Sequence, residues 1–299
     1  QFPRPYPPGW ALWHAPAAIA REATSIGLYA LNRLVVIQYL LAAHVALGLF
    51  AALLFSRRPD EPPPSGAVVA VRAFALALGG GELLRWSMLG YYDAAAVALA
   101  FAALLRLRDG RDADAAVWLS ASLCLHFRAL WLAPLFAWLA LRLGRAGPRA
   151  LAAARGRLAA AIGLVALALG ALALVRPSLA AFPTTNPVYF WRFDPAVAAH
   201  WNLLLPLALA FAILLRARAW LVAAVAGFQL CMVVHTPQTQ PWHSLFLLPL
   251  IGLARVAPGA RGGAELAACA LYLVECGQVF ESPPLPGEWL AALWLPRPG

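Results

Sequence analysis

The residues of this chain whose types could do chemistry fall mostly in three short stretches. The first, Trp86-Ser-Met-Leu-Gly-Tyr-Tyr-Asp93, ends in a carboxylate at the start of an apolar run. A carboxylate in the first turn of a helix is favoured by the helix dipole. Asp93 is therefore a helix-start residue on one reading and a functional charge at the rim of an apolar region on the other. The second, His126-Phe-Arg-Ala-Leu-Trp-Leu-Ala-Pro134, places Arg128 at a break between two apolar runs. A guanidinium beside a helix start suits a lipid phosphate. The plainer role for Arg128 is a side chain reaching to headgroups. The third, His235-Thr-Pro-Gln-Thr-Gln-Pro-Trp-His243, is a polar turn between apolar runs. Gln238 and Gln240 can hydrogen-bond sugar hydroxyls, Trp242 can stack on a sugar face, and His235 and His243 flank them. A hydrated hairpin turn would use the same residues.

Other chemistries find little support. His200, His235 and His243 share no metal-ligand spacing, and no carboxylate accompanies them at helical intervals, so no metal set is assigned. His44 lies among apolar residues and reads as a neutral, hydrogen-bonded ring. Cys124, Cys231, Cys269 and Cys276 sit inside apolar segments with no C-x-x-C spacing, as small buried hydrophobes do. There is no phosphate-cradling glycine loop and no nucleotide fold. No cofactor is expected, with a divalent cation left open.

The elements that must position these residues follow from composition. Hydrophobic residues make up 63% of the 299 and charged residues only 12%, about half the charged share of a soluble domain. The stretches 34–55 and 157–175 match the ~20 apolar residues that cross a hydrocarbon core. The fold expected is all-α: a polytopic transmembrane helical bundle of about nine or ten crossings, two of them short half-spans. It is read as one transmembrane domain over 1–299, with 1–30 on the outer side, the bundle over 31–280 and an outer tail over 281–299. The formal charge is +10, and all 23 basic residues are arginine. They stand in short loops between apolar runs rather than on a soluble face, which argues against a nucleic-acid partner.

Arginine clusters mark the cytoplasmic side, and the chain must cross an even number of times between them. This rule sends 67–105 out and back, 158–175 out and 201–215 back. The runs 219–235 and 242–254 make another hairpin, and 264–280 goes out again. The run 113–143 would be about 46 Å long as helix, too short for two full spans and too long for one. Two half-spans meeting near His126-Phe127-Arg128 fit it best. On this plan the three stretches lie on the outer side and the inner loops are almost purely basic. The functional face is then the outer one, read as the periplasmic face of a bacterial inner membrane.

The order of four motifs resembles the GT-C class of polyprenyl-phosphate-dependent membrane glycosyltransferases, mannosyltransferase-like members above all. They are Tyr6-Pro-Pro-Gly9, Gly90-Tyr-Tyr-Asp93, Arg128-Ala-Leu-Trp-Leu-Ala-Pro-Leu135, and Gln240-Pro-Trp-His-Ser-Leu-Phe-Leu-Leu-Pro-Leu250, spread over roughly residues 5–255. The resemblance implies sugar transfer from a polyprenyl-phosphate donor at the outer face. A carboxylate would act as base, and Arg128, helped by Arg85 or His126, would take the phosphate of the leaving lipid. In that family the catalytic acid precedes the Tyr-Pro-Pro stretch, after a first helix, and this sequence begins at that stretch. The nearest carboxylates, Glu22 and Asp93, do not occupy that position, so Asp93 is only a substitute for it. Three explanations follow: a missing N-terminus, a partner membrane subunit that supplies the helix, or a degenerate relative. The rival reading is a non-catalytic structural subunit of a larger membrane complex. A transporter, which would show paired repeats with broken helices, ranks last because no internal repeat stands out.

Overall fold

The computed structural model describes residues 8–24, 27–57, 61, 63–175, 220–235, 241–257 and 262–279. None of the described residues forms a strand. The helices are α1 (Pro8–Thr24), α2 (Leu28–Phe55), α3 (Gly66–Met88), α4 (Asp93–Arg108), α5 (Asp112–Leu125), α6 (Ala133–Arg145), α7 (Pro148–Val175), α8 (Trp220–His235), α9 (Leu248–Val256) and α10 (Gly262–Val279). Two 3-10 segments, η1 (Phe127–Leu132) and η2 (Pro241–Leu247), lead directly into α6 and α9.

The chain makes antiparallel hairpins because its turn signals fall between apolar runs. Ser65 begins α3 by accepting the Val68 N–H at 3.4 Å. Gly90, at φ +90°, makes the turn into α4 in a left-handed conformation that glycine adopts without a side-chain clash. The stretch 113–143 consists of α5 and α6 meeting at η1; where two half-spans were expected, Phe127–Arg145 is by itself long and apolar enough to cross a membrane. Their far ends come back together, since Arg142 Nε lies 2.8 Å from Asp112 Oδ2.

Arginines tie the helix ends there. Arg108 Nη1 donates to the Ala52 carbonyl at 3.3 Å, and Arg255 Nη2 to the Ser56 carbonyl at 3.1 Å and to Glu61 at 2.5 Å. The Arg255 bond satisfies a C-cap carbonyl that the helix leaves without an intrahelical partner, and the Arg108 bond adds a second donor to the Ala52 carbonyl, which also accepts the Ser56 N–H. We call this the arginine end and the opposite one the turn end. The loops expected to be almost purely basic turn out to carry acids between the arginines. Asp114 pairs with Arg111 at 2.6 Å and also with Arg157.

Helix α4 is central. Ala94, Ala96, Val97, Phe101 and Leu104 are fully buried, and Phe101 stacks on Phe50 of α2 at 4.8 Å between ring centroids. Ser122 of α5 donates to the Ala96 carbonyl at 2.7 Å. Alanine on α4 and glycine on its neighbours let the helices approach closely. A Cβ on Gly252 of α9 would meet Leu53 and Leu104, each at 3.1 Å.

Three described segments are long and apolar enough to cross a membrane: Asn32–Phe55, Gly66–Met88 and Phe127–Arg145. Leu34, Ile37, Leu41 and Val45 of α2 recur at helical spacing and are exposed, a face that suits lipid better than water. By length and composition, these helices suggest a membrane protein. Inside this apolar frame, Arg72 of α3 and Glu265 of α10 form a buried two-pronged pair, with N–O distances of 2.7 and 2.8 Å. Charges this far from water persist when they are paired in such geometry.

Candidate functional site

At the turn end, four side chains from distant parts of the chain meet: Asp93, His126, Arg128 and His243. Asp93 occupies the first turn of α4, whose N-cap residue is Tyr92. It is 1% exposed, and its Oδ1 is sealed from solvent with no well-formed hydrogen bond. His126 Nε2 faces that oxygen at 3.3 Å.

The other face of the His126 ring decides what the ring can do. As N-cap of η1, His126 accepts the backbone N–H of Arg128 on Nδ1 at 3.0 Å. A nitrogen that accepts an amide N–H carries no proton of its own, so the proton of the neutral ring sits on Nε2 and points at Asp93. His126 thereby turns Nε2–H toward the carboxylate without forming a well-aligned hydrogen bond, with no nitrogen left to act as a base.

Arg128 and His243 complete the cluster, each 7% exposed. The Arg128 guanidinium lies over the Trp131 ring, 5.0 Å from its centroid, and acts electrostatically on Asp93. The His243 ring lies 6.2 Å from His126 and 6.5 Å from Trp131. Phe246, 4.7 Å from His126, and Tyr92, 5.4 Å from it, form an aromatic wall. Tyr92 continues that wall to His14 of α1 at 5.5 Å, and His14 Nε2 is bonded to the Tyr39 hydroxyl at 2.5 Å.

Asp93, His126 and His243 bring ligand-type atoms within 4.8 Å of one another. As a metal set the trio conflicts with its own hydrogen bonding. Metal on Nε2 of His126 would need a lone pair where the cap places a proton, and the Arg128 cation would repel the ion. The arrangement suits a carboxylate oriented by an imidazole and a guanidinium.

Two short elements build this site in the same way. Arg128-Ala-Leu-Trp-Leu-Ala-Pro-Leu135 and His243-Ser-Leu-Phe-Leu-Leu-Pro-Leu250 align residue for residue, each crossing from a 3-10 segment into an α-helix at the same position. Pro134 and Pro249 both stand in the first helical turn, where the missing N–H costs nothing. An α-helix cannot run through them without strain, so the residues ahead tighten into 3-10 turns. Trp131 and Phe246 occupy matching buried positions, and Arg128 corresponds to His243. Gln229 of α8 holds the second element by donating to the Phe246 carbonyl at 3.1 Å.

Thus, of the residues singled out by sequence, Asp93, His126, Arg128 and His243 come together. Arg85 lies apart on α3, more than half exposed, with Glu82 Oε1 at 3.7 Å and the Trp86 ring beneath it at 4.8 Å. Gln238 and Gln240, and the side chains of His235 and Trp242, lie outside the described residues, as do Tyr6 and Pro7 of the Tyr6-Pro-Pro stretch. His44, read as hydrogen-bonded, donates Nδ1–H to the Leu40 carbonyl at 2.6 Å. The sequence reading missed the eight-residue repeat, although its Leu-aromatic-Leu-x-Pro-Leu signature is legible, and it missed the Arg72–Glu265 pair. No family model, curated protein or solved structure matches this chain.

Proposed function

We propose that this chain is a GT-C-like membrane glycosyltransferase, or a degenerate relative of one, acting on a polyprenyl-phosphate sugar at the outer face of a bacterial inner membrane. The observation that carries the reading is a carboxylate and a guanidinium buried in one cluster, at a helix break on the end opposite the arginine loops. Charged groups in apolar surroundings are costly and usually serve function.

In this reaction the acceptor hydroxyl oxygen attacks the anomeric carbon of the donor. The bond from that carbon to the lipid phosphate oxygen breaks, and its electron pair leaves with the phosphate. Asp93 takes the hydroxyl proton, and Arg128 balances the negative charge that develops on the phosphate. His126 presents Nε2–H to the carboxylate at 3.3 Å and can hold it once the two align. The acceptor and lipid reach Asp93 only if the turn end opens, because its carboxylate is sealed in the present structure.

That closure favours one other reading, a non-catalytic subunit of a membrane complex in which the same four side chains lock the two 3-10 segments together. The two readings separate on Asp93→Asn and Arg128→Gln, assayed in membranes with radiolabelled polyprenyl-phosphate mannose and with intact melting behaviour checked in parallel. Transfer by the parent protein that both variants lose, while still folded, supports the enzyme. Transfer at the parent level in both variants refutes the roles of Asp93 and Arg128. No transfer by the parent, with weaker folding or loss of a co-purifying subunit in the variants, supports the structural role.

A further inference from the structure

We infer that the arginine end carries a binding site for an anionic phospholipid headgroup, in a cavity of about 420 Å³ where the last turns of α4, α6 and α9 converge. The inference rests on the membrane character of the chain and is independent of any transfer activity at the turn end. The cavity joins two chemistries. Leu107, Trp138 and Val256 supply an apolar wall, while Arg108 and Arg142 stand on it with Asp109.

Arg142 is the principal anion ligand. Its Nε is occupied by Asp112 at 2.8 Å, and its guanidinium is steadied over the Trp138 ring at 4.8 Å from the centroid. This leaves the two Nη groups as donors, already oriented and still partly exposed. Arg108 is anchored by the Ala52 carbonyl and by Asp109 at 3.2 Å, so it contributes charge from a fixed position.

Helix C-termini are poor places for an anion, because their carbonyls present negative partial charge. At the neighbouring C-terminus of α2, Arg108 and Arg255 already donate to the Ala52 and Ser56 carbonyls. A surplus of cations remains, since Arg106, Arg111, Arg142, Arg145, Arg149, Arg155 and Arg157 outnumber the acids Asp109, Asp112 and Asp114 around them. Basic recesses between membrane helices beside such a field attract anionic headgroups. A phosphodiester on Arg142 with its glycerol and upper acyl carbons along Leu107, Trp138 and Val256 uses both halves of the cavity. A free phosphate ion would use only one.

The test is native mass spectrometry of the full chain released from nanodiscs of equal phosphatidylglycerol and phosphatidylcholine. Arg142→Gln is compared with Arg145→Gln, a change at an exposed arginine of the same helix end that does not line the cavity. The parent should retain phosphatidylglycerol in preference, Arg142→Gln should lower that preference about fivefold, and Arg145→Gln should leave it nearly unchanged. An equal loss in both variants would mean a diffuse field and overturn the site, as would a parent with no preference. Displacement of the bound lipid by millimolar inorganic phosphate would identify the ligand as the free ion and overturn the lipid assignment. Melting curves of both variants guard against misfolding. If Arg142→Gln is unstable, Trp138→Leu, which removes the ring beneath the guanidinium and keeps the wall apolar, should lower retention in the same direction.

Discussion

The two ends of this bundle handle charge in opposite ways. At the arginine end, many cations and a few acids stand at helix termini, most of them partly exposed, in pairs such as Arg111–Asp114 and Arg142–Asp112. At the turn end, a small set of ionisable groups lies buried among aromatic rings, with Asp93 facing His126 and Arg128 nearby. Exposed pairs are screened and contribute little singly, whereas buried ones matter greatly when a partner is lost. The arginine end can therefore set orientation and lipid contact by the number of its charges. The turn end depends on the identity of each residue.

The sharpest break of this contrast is at Asp93. On the catalytic reading, Asp93→Asn should slow transfer by about 10²- to 10⁴-fold, the range for loss of a general base, in a variant that still folds. A retained rate would place the turn end with the arginine end, as structure alone. Next comes a buried pair among the described residues that belongs to neither pattern, Arg72–Glu265. Glu265→Ala should lower unfolding stability by about 3–5 kcal/mol, because Arg72 would be left charged in an apolar surrounding. The double change Arg72→Met with Glu265→Leu should recover most of that loss, measured as reversible unfolding in mixed micelles.

A smaller effect is expected at Gly9, where α1 closes over the turn end. A Cβ there would lie 2.5 Å from the Cys124 carbonyl oxygen. Gly9→Ala should cost roughly 1–3 kcal/mol by overpacking, with α1 proteolysed sooner. Least of all should come from Arg157→Ala at the arginine end. Its pair with Asp114 is exposed on the arginine side, and Asp114 keeps Arg111, so the change should stay below about 1 kcal/mol and shrink further in high salt. A large effect there would erase the distinction between the ends.

Much of this was legible in the sequence, and for local reasons. Apolar runs bounded by Arg, Gly and Pro gave helices and hairpins, because hydrophobic length and turn chemistry are read within a window of some twenty residues. The 31-residue stretch 113–143 had to bend by its length alone, and it bends at His126. The repeated Leu-aromatic-Leu-x-Pro-Leu signature was equally available, hidden by the abundance of leucine and proline around it. The Arg72–Glu265 pair had no such signal. Its two members sit in separate apolar helices, and nothing near either one predicts the other.

By itself, then, the sequence determined that this chain is helical and apolar enough for a membrane, where its hairpins turn, and that Asp93 and Arg128 each begin near a helix break. Only the tertiary structure decided that Asp93, His126, Arg128 and His243 share one buried cluster while Arg85 stands apart with Glu82. It also decided that the His126 proton faces Asp93, because the cap on Nδ1 exists only once η1 has formed. Helix periodicity fixes which residues share a face of one helix. The meeting of α4, η1 and η2 is set by close packing of alanine and glycine across helices far apart in the chain, which no local pattern encodes.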